Sequence, residues 1–298
     1  MVAIILGTYL RKKGFLTCEQ LDTLLLQQRR VHVKLGLIAV TEGLMTQEEA
    51  DKINKMQAAV DKKFGDIAIE QGYLTEGEVE ALLNKQGNAY LKFAQALEDQ
   101  QLMTVEQLEQ CMMDFQMENQ MTFSDMEDIK SDDVDRILPL YIPVEQEKYL
   151  DTMGTALRTI LRCVDTEIYL EKAYVASECE GECGAVQNID GERRLSYGMF
   201  GMGQALLPVA SAFGKEDFQE MNEDALDAIG ELLNCISGLY ANGISRGGVC
   251  VELYPPEYST DISRITCDEM LVLPLHIKGQ KIHFAVAIGN KIEMKREA

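Results

Sequence analysis

The sequence predicts two domains: an all-α helical repeat domain, then an α+β domain with long helices packed on an antiparallel sheet. Three observations carry this expectation. A 29-residue step runs through the first third, an acidic stretch with prolines follows, and the second half mixes amphipathic helices with hairpin signals. The length of 298 residues suits two domains of ordinary size.

The step is held by many positions at once. Gly7, Gly36 and Gly65 are spaced by 29, and Ala94 extends the series. Gly14, Gly43 and Gly72 keep it, with Gln101 in fourth place, and so do Thr17, Thr46, Thr75 and Thr104. Leu21, Ala50, Val79 and Leu108 follow the same step, and Gln28, Gln57 and Gln86 close their units, with Phe115 in fourth place. Each Thr precedes Gln20, Glu49, Glu78 or Gln107 by three residues, the capping-box spacing that satisfies free N–H groups at a helix start. The glycine just before suits a left-handed helix end. Each unit therefore reads as a short helix, a tight turn and a longer helix. Four units fill residues 3–116.

The first copy, Leu6-Gly7, Leu10, Gly14, Leu16, Leu21, Leu25, Gln28, resembles the tandem motif of the MshEN family, found at the N-terminus of type II secretion and pilus ATPases. Some members bind cyclic di-GMP, and those carry an Arg before the Leu-Gly pair. Here that place holds Ile5, Lys34, Lys63 and Lys92, which lack the planar fork of Arg. The region reads as a scaffold or partner-docking domain, with cyclic di-GMP as the alternative ligand.

Residues 117–141 read as an acidic linker. The run 124–137 breaks the repeat, and Pro139 and Pro143 follow. Residues 142–298 form the second domain. Helical spacing covers 144–164, and strand-like runs at 185–189 and 194–200 flank Asp190-Gly191, a hairpin signal. Helices are expected over 203–213 and 222–242, and strands over 249–254, 269–277 and 281–288.

A net charge of -21 argues against a nucleic-acid polymer and against an anionic membrane surface, because both need Lys and Arg to neutralise phosphate. No run approaches the ~18 apolar residues of a membrane span, and Met1 to Leu6 lacks the flanks of a signal peptide. A cytoplasmic protein is expected. The scattered cysteines read as small core residues of a reducing compartment. Cys179 and Cys183 lack the further ligands of a tetrahedral metal site, and His32, His276 and His283 lack ligand spacing.

The helix at 222–242 divides its faces sharply. At about 100° per residue, Ala225, Leu226, Ile229, Leu232, Leu233, Ile236, Leu239 and Tyr240 fall in one core wedge. Asp227, Glu231, Asn234, Gly238 and Ala241 line the opposite side within about 40°. This could be an ordinary solvent stripe, yet it contains no Lys or Arg and ends in small residues that would let another protein approach closely.

Asp227-Ala-Ile-Gly-Glu231-Leu-Leu-Asn234, with Pro255 and Pro256 some twenty residues on, is similar to the signature of the CheC, CheX and FliY phosphatases. The first helix offers Asp151 but has Thr155 and Arg158 where a second Glu and Asn would stand, so one copy remains and the CheX-like form is favoured. The resemblance covers about 142–290. It implies hydrolysis of the aspartyl-phosphate on a receiver domain such as CheY, in chemotaxis or related two-component signalling. Asn234 would position the attacking water and Glu231 would pair with the receiver's Lys, both as catalytic residues. Asp227, Gly238 and Ala241 would line the partner contact. The chain would need no cofactor of its own, the Mg2+ being held by the receiver. Family members commonly dimerise, so a homodimer is expected. A non-catalytic adaptor that binds receivers or senses cyclic di-GMP is the alternative.

Overall fold

A computed structural model of the protein describes residues 1–28, 30–57, 62–165 and 167–295. The chain divides into two compact units, Val2–Asp133 and Val134–Ala298. The last three residues of the expected second domain lie outside the described residues.

The first unit is helical. Its helices run in pairs: α1 (Val2–Lys12) with α2 (Cys18–Gln28), α3 (Leu35–Thr41) with α4 (Gln47–Gln57), α5 (Phe64–Glu70) with α6 (Glu76–Asn84), and α7 (Ala89–Asp99) with α8 (Val105–Glu118). All four expected capping boxes form, each with Thr backbone N–H bonded to the side chain three residues on and the reverse bond to the Thr hydroxyl. Gly14, Gly43 and Gly72 end the short helices at φ of 81°, 70° and 76°, and Gln101 accepts φ 56° in the fourth. The other repeated glycine serves close approach, since a Cβ on Gly7 would stand 2.3 Å from Leu21 Cδ1. Two of the repeated glutamines tie connectors down. Gln57 donates to the carbonyl of Lys62, and Gln86 to that of Val33.

The expected linker at 117–141 is instead structured. Helix α9 (Phe123–Lys130) opens on a fifth capping box, Thr122 with Asp125, and buries Met126 and Ile129. The acidic residues occupy its outer face, so charge alone did not mark a connector. From Val134 on, the stretch belongs to the second unit. Helix α10 (Val134–Ile137) runs into a 3-10 turn, Leu138–Leu140, with Ile137 and Leu138 buried. Asp135 of α10 forms an ion pair with Arg158.

The second unit is an antiparallel sheet with helices packed on it. Helix α11 spans Leu150–Cys163, after a 3-10 segment at Val144–Tyr149 that replaces the first turns of the expected helix. The strands are β1 (Ile168–Leu170), β2 (Tyr174–Cys179), β3 (Cys183–Gly191) and β4 (Leu195–Gly201). After α12 (Leu207–Gly214) and α13 (Glu223–Ser245) come β5 (Val251–Leu253), β6 (Glu257–Ser259), β7 (Arg264–Ile277), β8 (Gln280–Ile288) and β9 (Glu293–Lys295). The central order is β1-β7-β8-β4-β3-β5, with β2 and β9 on β7 and β6 on β3.

Four strands were not expected: β1, β2, β6 and β9. Three of them are three residues long, and β2 is largely exposed, so none shows an alternating pattern long enough to read. Asp190-Gly191 is not the hairpin turn, because both still pair with β5, and the chain reverses after them. The turn between β7 and β8 is the two-residue kind, with Lys278 and Gly279 both at positive φ.

Alternation assigns the sheet faces. One row crosses β3, β4, β8 and β7 through Gln187, Tyr197, Val286 and Leu271, all buried. This row lies on the helix side, since Tyr197 packs against Tyr240 of α13 and its hydroxyl reaches the carbonyl of Thr152 on α11. The other face buries Val186, Phe200, Ile265, Val272, Ala285 and Ala287.

Candidate functional site

Helix α13 positions the candidate residues. It begins where the Asn222 side chain accepts from the N–H of Ala225, a cap worth about 1 kcal/mol. Leu226, Ile229, Leu232, Leu233 and Ile236 then bury completely against the sheet, each contributing on the order of 1.5–3 kcal/mol. Leu239, expected in this wedge, is 39% exposed, because it falls at the wedge's edge, while the next residue, Tyr240, stays buried against Tyr197. Gly230 is buried instead, and a Cβ on it would meet Pro256 Cβ at 3.2 Å. The second proline of the motif thus seats against α13 one residue before Glu231.

The opposite face carries Asp227, Glu231 and Asn234, all exposed, with Gly238 and Ala241 half-buried. Glu231 and Asn234 are one turn apart, and Asn234 Nδ2 lies 3.5 Å from Glu231 Oε2. Asp227 makes no contact with either among the bonds of the described residues. Gly238 has open space around it, with nothing within 4 Å of a built Cβ. The matching face of α11 is tied up within the chain, since Arg158 engages Asp135 and the hydroxyl of Thr155.

Sequence reasoning missed the residue beneath this face. Gln187, in the middle of β3 and 1% exposed, directs its amide at α13. Its Nε2 donates to Asn234 Oδ1 at 2.9 Å and to the carbonyl of Tyr254 at 3.0 Å. Its Oε1 is buried without a hydrogen-bond donor. A signal existed: Gln187 shares strand parity with Ala185 and Ile189, the core side, where a glutamine is out of place. Tyr254 adds a half-exposed ring with the Lys291 ammonium 5.6 Å from its centre.

All eight cysteines are free, but Cys18 and Cys250 are exposed rather than core. Burial pushes the Cys179 thiol up to about 12 and that of Cys183 to about 11, so neither forms thiolate readily. His276 bonds Glu171, and His283 bonds the Glu180 carbonyl. Among the described residues no group of acidic, His or Cys side chains could hold a metal, and no helix is long and apolar enough to cross a membrane.

The C-terminal unit is thus an antiparallel sheet backed by a helix that presents a Glu and an Asn one turn apart, and part of it is similar in sequence to a known family. Residues 183–272, which include β3 and all of α13, match the family "Chemotaxis phosphatase CheX". Among solved structures, a CheC-like superfamily protein from Shewanella sp. PV-4 is similar at 14% identity, over 46% of this chain and 94% of that one, with a TM-score of 0.40. A chemotaxis protein CheX from Desulfovibrio desulfuricans is similar at 21% identity, over 48% and 99%, also at 0.40. The CheX–CheY–BeF3–Mg2+ complex from Borrelia burgdorferi is similar at 18% identity, over 47% and 97%, at 0.38. No curated protein matches the chain significantly.

Proposed function

We propose that the C-terminal unit hydrolyses the aspartyl-phosphate of a CheY-like receiver domain. The observation that carries the reading is the exposed Glu231–Asn234 pair within the stretch matching the phosphatase family. The receiver supplies Mg2+ and a Lys around its phosphoryl group. What it lacks is a water held in line with phosphorus, about 3 Å away.

Asn234 suits that task. Its amide offers donors and an acceptor, and its neutrality avoids repelling the phosphoryl oxygens. Water attacks phosphorus, the bond to the aspartyl oxygen breaks, and the receiver's carboxylate leaves with inorganic phosphate as the second product. Glu231 faces outward where a cation can answer it, and the receiver's Lys is that cation, setting the helix in register. Asp227, Gly238 and Ala241 border the same contact. No cofactor is required from this chain.

The test is phosphate release from phosphorylated receiver domains with wild type, Asn234→Ala and Glu231→Ala. Acceleration by wild type alone supports the reading. Equal decay with and without wild type across a panel of receivers overturns it.

A further inference from the structure

We propose that Gln187 is a positioning residue that sets which way the Asn234 carboxamide faces; its catalytic consequence rests on the phosphatase reading above. The argument starts from one atom whose chemistry is unambiguous. The carbonyl oxygen of Tyr254 can only accept, so the Gln187 atom 3.0 Å away is the NH2 nitrogen. That nitrogen is also 2.9 Å from Asn234, so the Asn234 atom facing it is the oxygen. The Asn234 NH2 therefore points to the other side, where Glu231 Oε2 lies 3.5 Å away. A backbone carbonyl thus orders two side-chain amides in series and hands a defined orientation to an exposed residue.

Burial makes this more than a surface contact. Gln187 is fixed in the sheet between Ala185 and Ile189, with no room to turn away. Reversing its own amide would set Oε1 against two acceptors, the Tyr254 carbonyl and Asn234 Oδ1. Its Oε1 has no donor, so the orientation is held entirely from the Nε2 end. An unrestrained exposed Asn samples both amide orientations, and only one presents N–H toward Glu231 with the second lone pair of Oδ1 left for a water. Misplacing a catalytic group by about 1 Å can cost on the order of a hundredfold. Loss of orientation alone, with Asn234 still present, is expected to cost about tenfold.

The experiment uses the full chain with Gln187→Met, which keeps the volume and removes the donor. Two readouts are taken: kcat and KM for a phosphorylated receiver, and the order of the Asn234 side-chain NH2 by 15N NMR, assigned through its loss in Asn234→Asp. The expected result is a kcat about tenfold lower, a KM within twofold, and a more mobile Asn234 amide. A second variant, Gln187→Glu, separates positioning from packing. Its protonated carboxyl can still donate to Asn234 Oδ1, while its carboxylate repels it, so kcat should fall with rising pH where wild type does not. An unchanged kcat in a folded Gln187→Met protein, or an Asn234 amide as ordered as in wild type, overturns the proposal. If wild type itself releases no phosphate, the phosphatase reading fails, and the NMR readout alone still decides whether Gln187 orders Asn234.

Discussion

Asn234 and Glu231 project from consecutive turns of α13, their nearest polar atoms 3.5 Å apart, while the residues between them, Leu232 and Leu233, are wholly buried. Chemistry and packing are therefore separable on one helix. Glu231→Ala is expected to leave stability within about 0.5 kcal/mol, as for other exposed substitutions, whereas Asn234→Ala also removes the acceptor of a buried Gln187 N–H and should cost about 1 kcal/mol. Phosphate release should fall by on the order of a hundredfold. Thermal melts beside turnover assays check this; a matching fall in melting temperature would mean that the residues serve the fold.

Gly238 separates stability from partner contact. It sits mid-helix with open space where a Cβ would go. Gly238→Ala should stabilise the chain by about 1 kcal/mol, the helix-propensity difference. Gly238→Phe should melt no lower than wild type yet lose receiver binding in a titration. Retained binding in the Phe variant would place the partner elsewhere.

Thr122 reports on the stretch expected to be a linker. Its hydroxyl accepts from the Asp125 N–H to start α9. Thr122→Ala should cost about 1 kcal/mol and speed protease cleavage between residues 119 and 133. A true connector would show neither change.

The capping boxes predict an acid-sensitive component of stability. Hydrogen bonds from the backbone N–H of Thr46 and Thr75, then from their hydroxyls, hold the Glu49 and Glu78 carboxyls below their ordinary value of 4.5. The folded state binds these protons more weakly than the unfolded one. Their contribution is thus full above pH 4.5 and is lost as pH falls through the lower folded values. Glu49→Gln with Glu78→Gln keeps the caps, as Gln20 and Gln107 do natively. The melting temperature of the double variant should fall less steeply than wild type between pH 6 and 3; parallel curves would exclude this origin.

Cyclic di-GMP binding is open to direct titration of the full chain. Lys34, in the place where the resemblance to MshEN repeats would call for an Arg, has its ammonium engaged by Asp99 at 2.9 Å. No saturable binding is expected at high micromolar nucleotide. Saturation would favour the sensing alternative.

Much of the helical half could be read residue by residue, because its signals are local. A Thr and a Gln or Glu three apart, or a Gly at a helix end, act within one turn, and each capping box duly formed. Thr122 escaped notice because Asp125 stands where the repeats have Gln or Glu, in a stretch whose charge masked its apolar side. In the second half, long strands and α13 announced themselves by period. Strands β1, β6 and β9 did not, since three residues carry no period and exist only through their partners β7 and β3.

The same division runs through the candidate site. Residue order alone was enough to put Asp227, Glu231 and Asn234 on one helical face, because 3.6 residues per turn is a property of any α-helix. It could not reveal that Gln187, 47 positions earlier, would lie beneath Asn234 and share its amide with the Tyr254 carbonyl. Nor could it show that Pro256 would close against Gly230. Those relationships depend on the register between β3 and β5 and on how α13 seats across the sheet, which long-range packing decides.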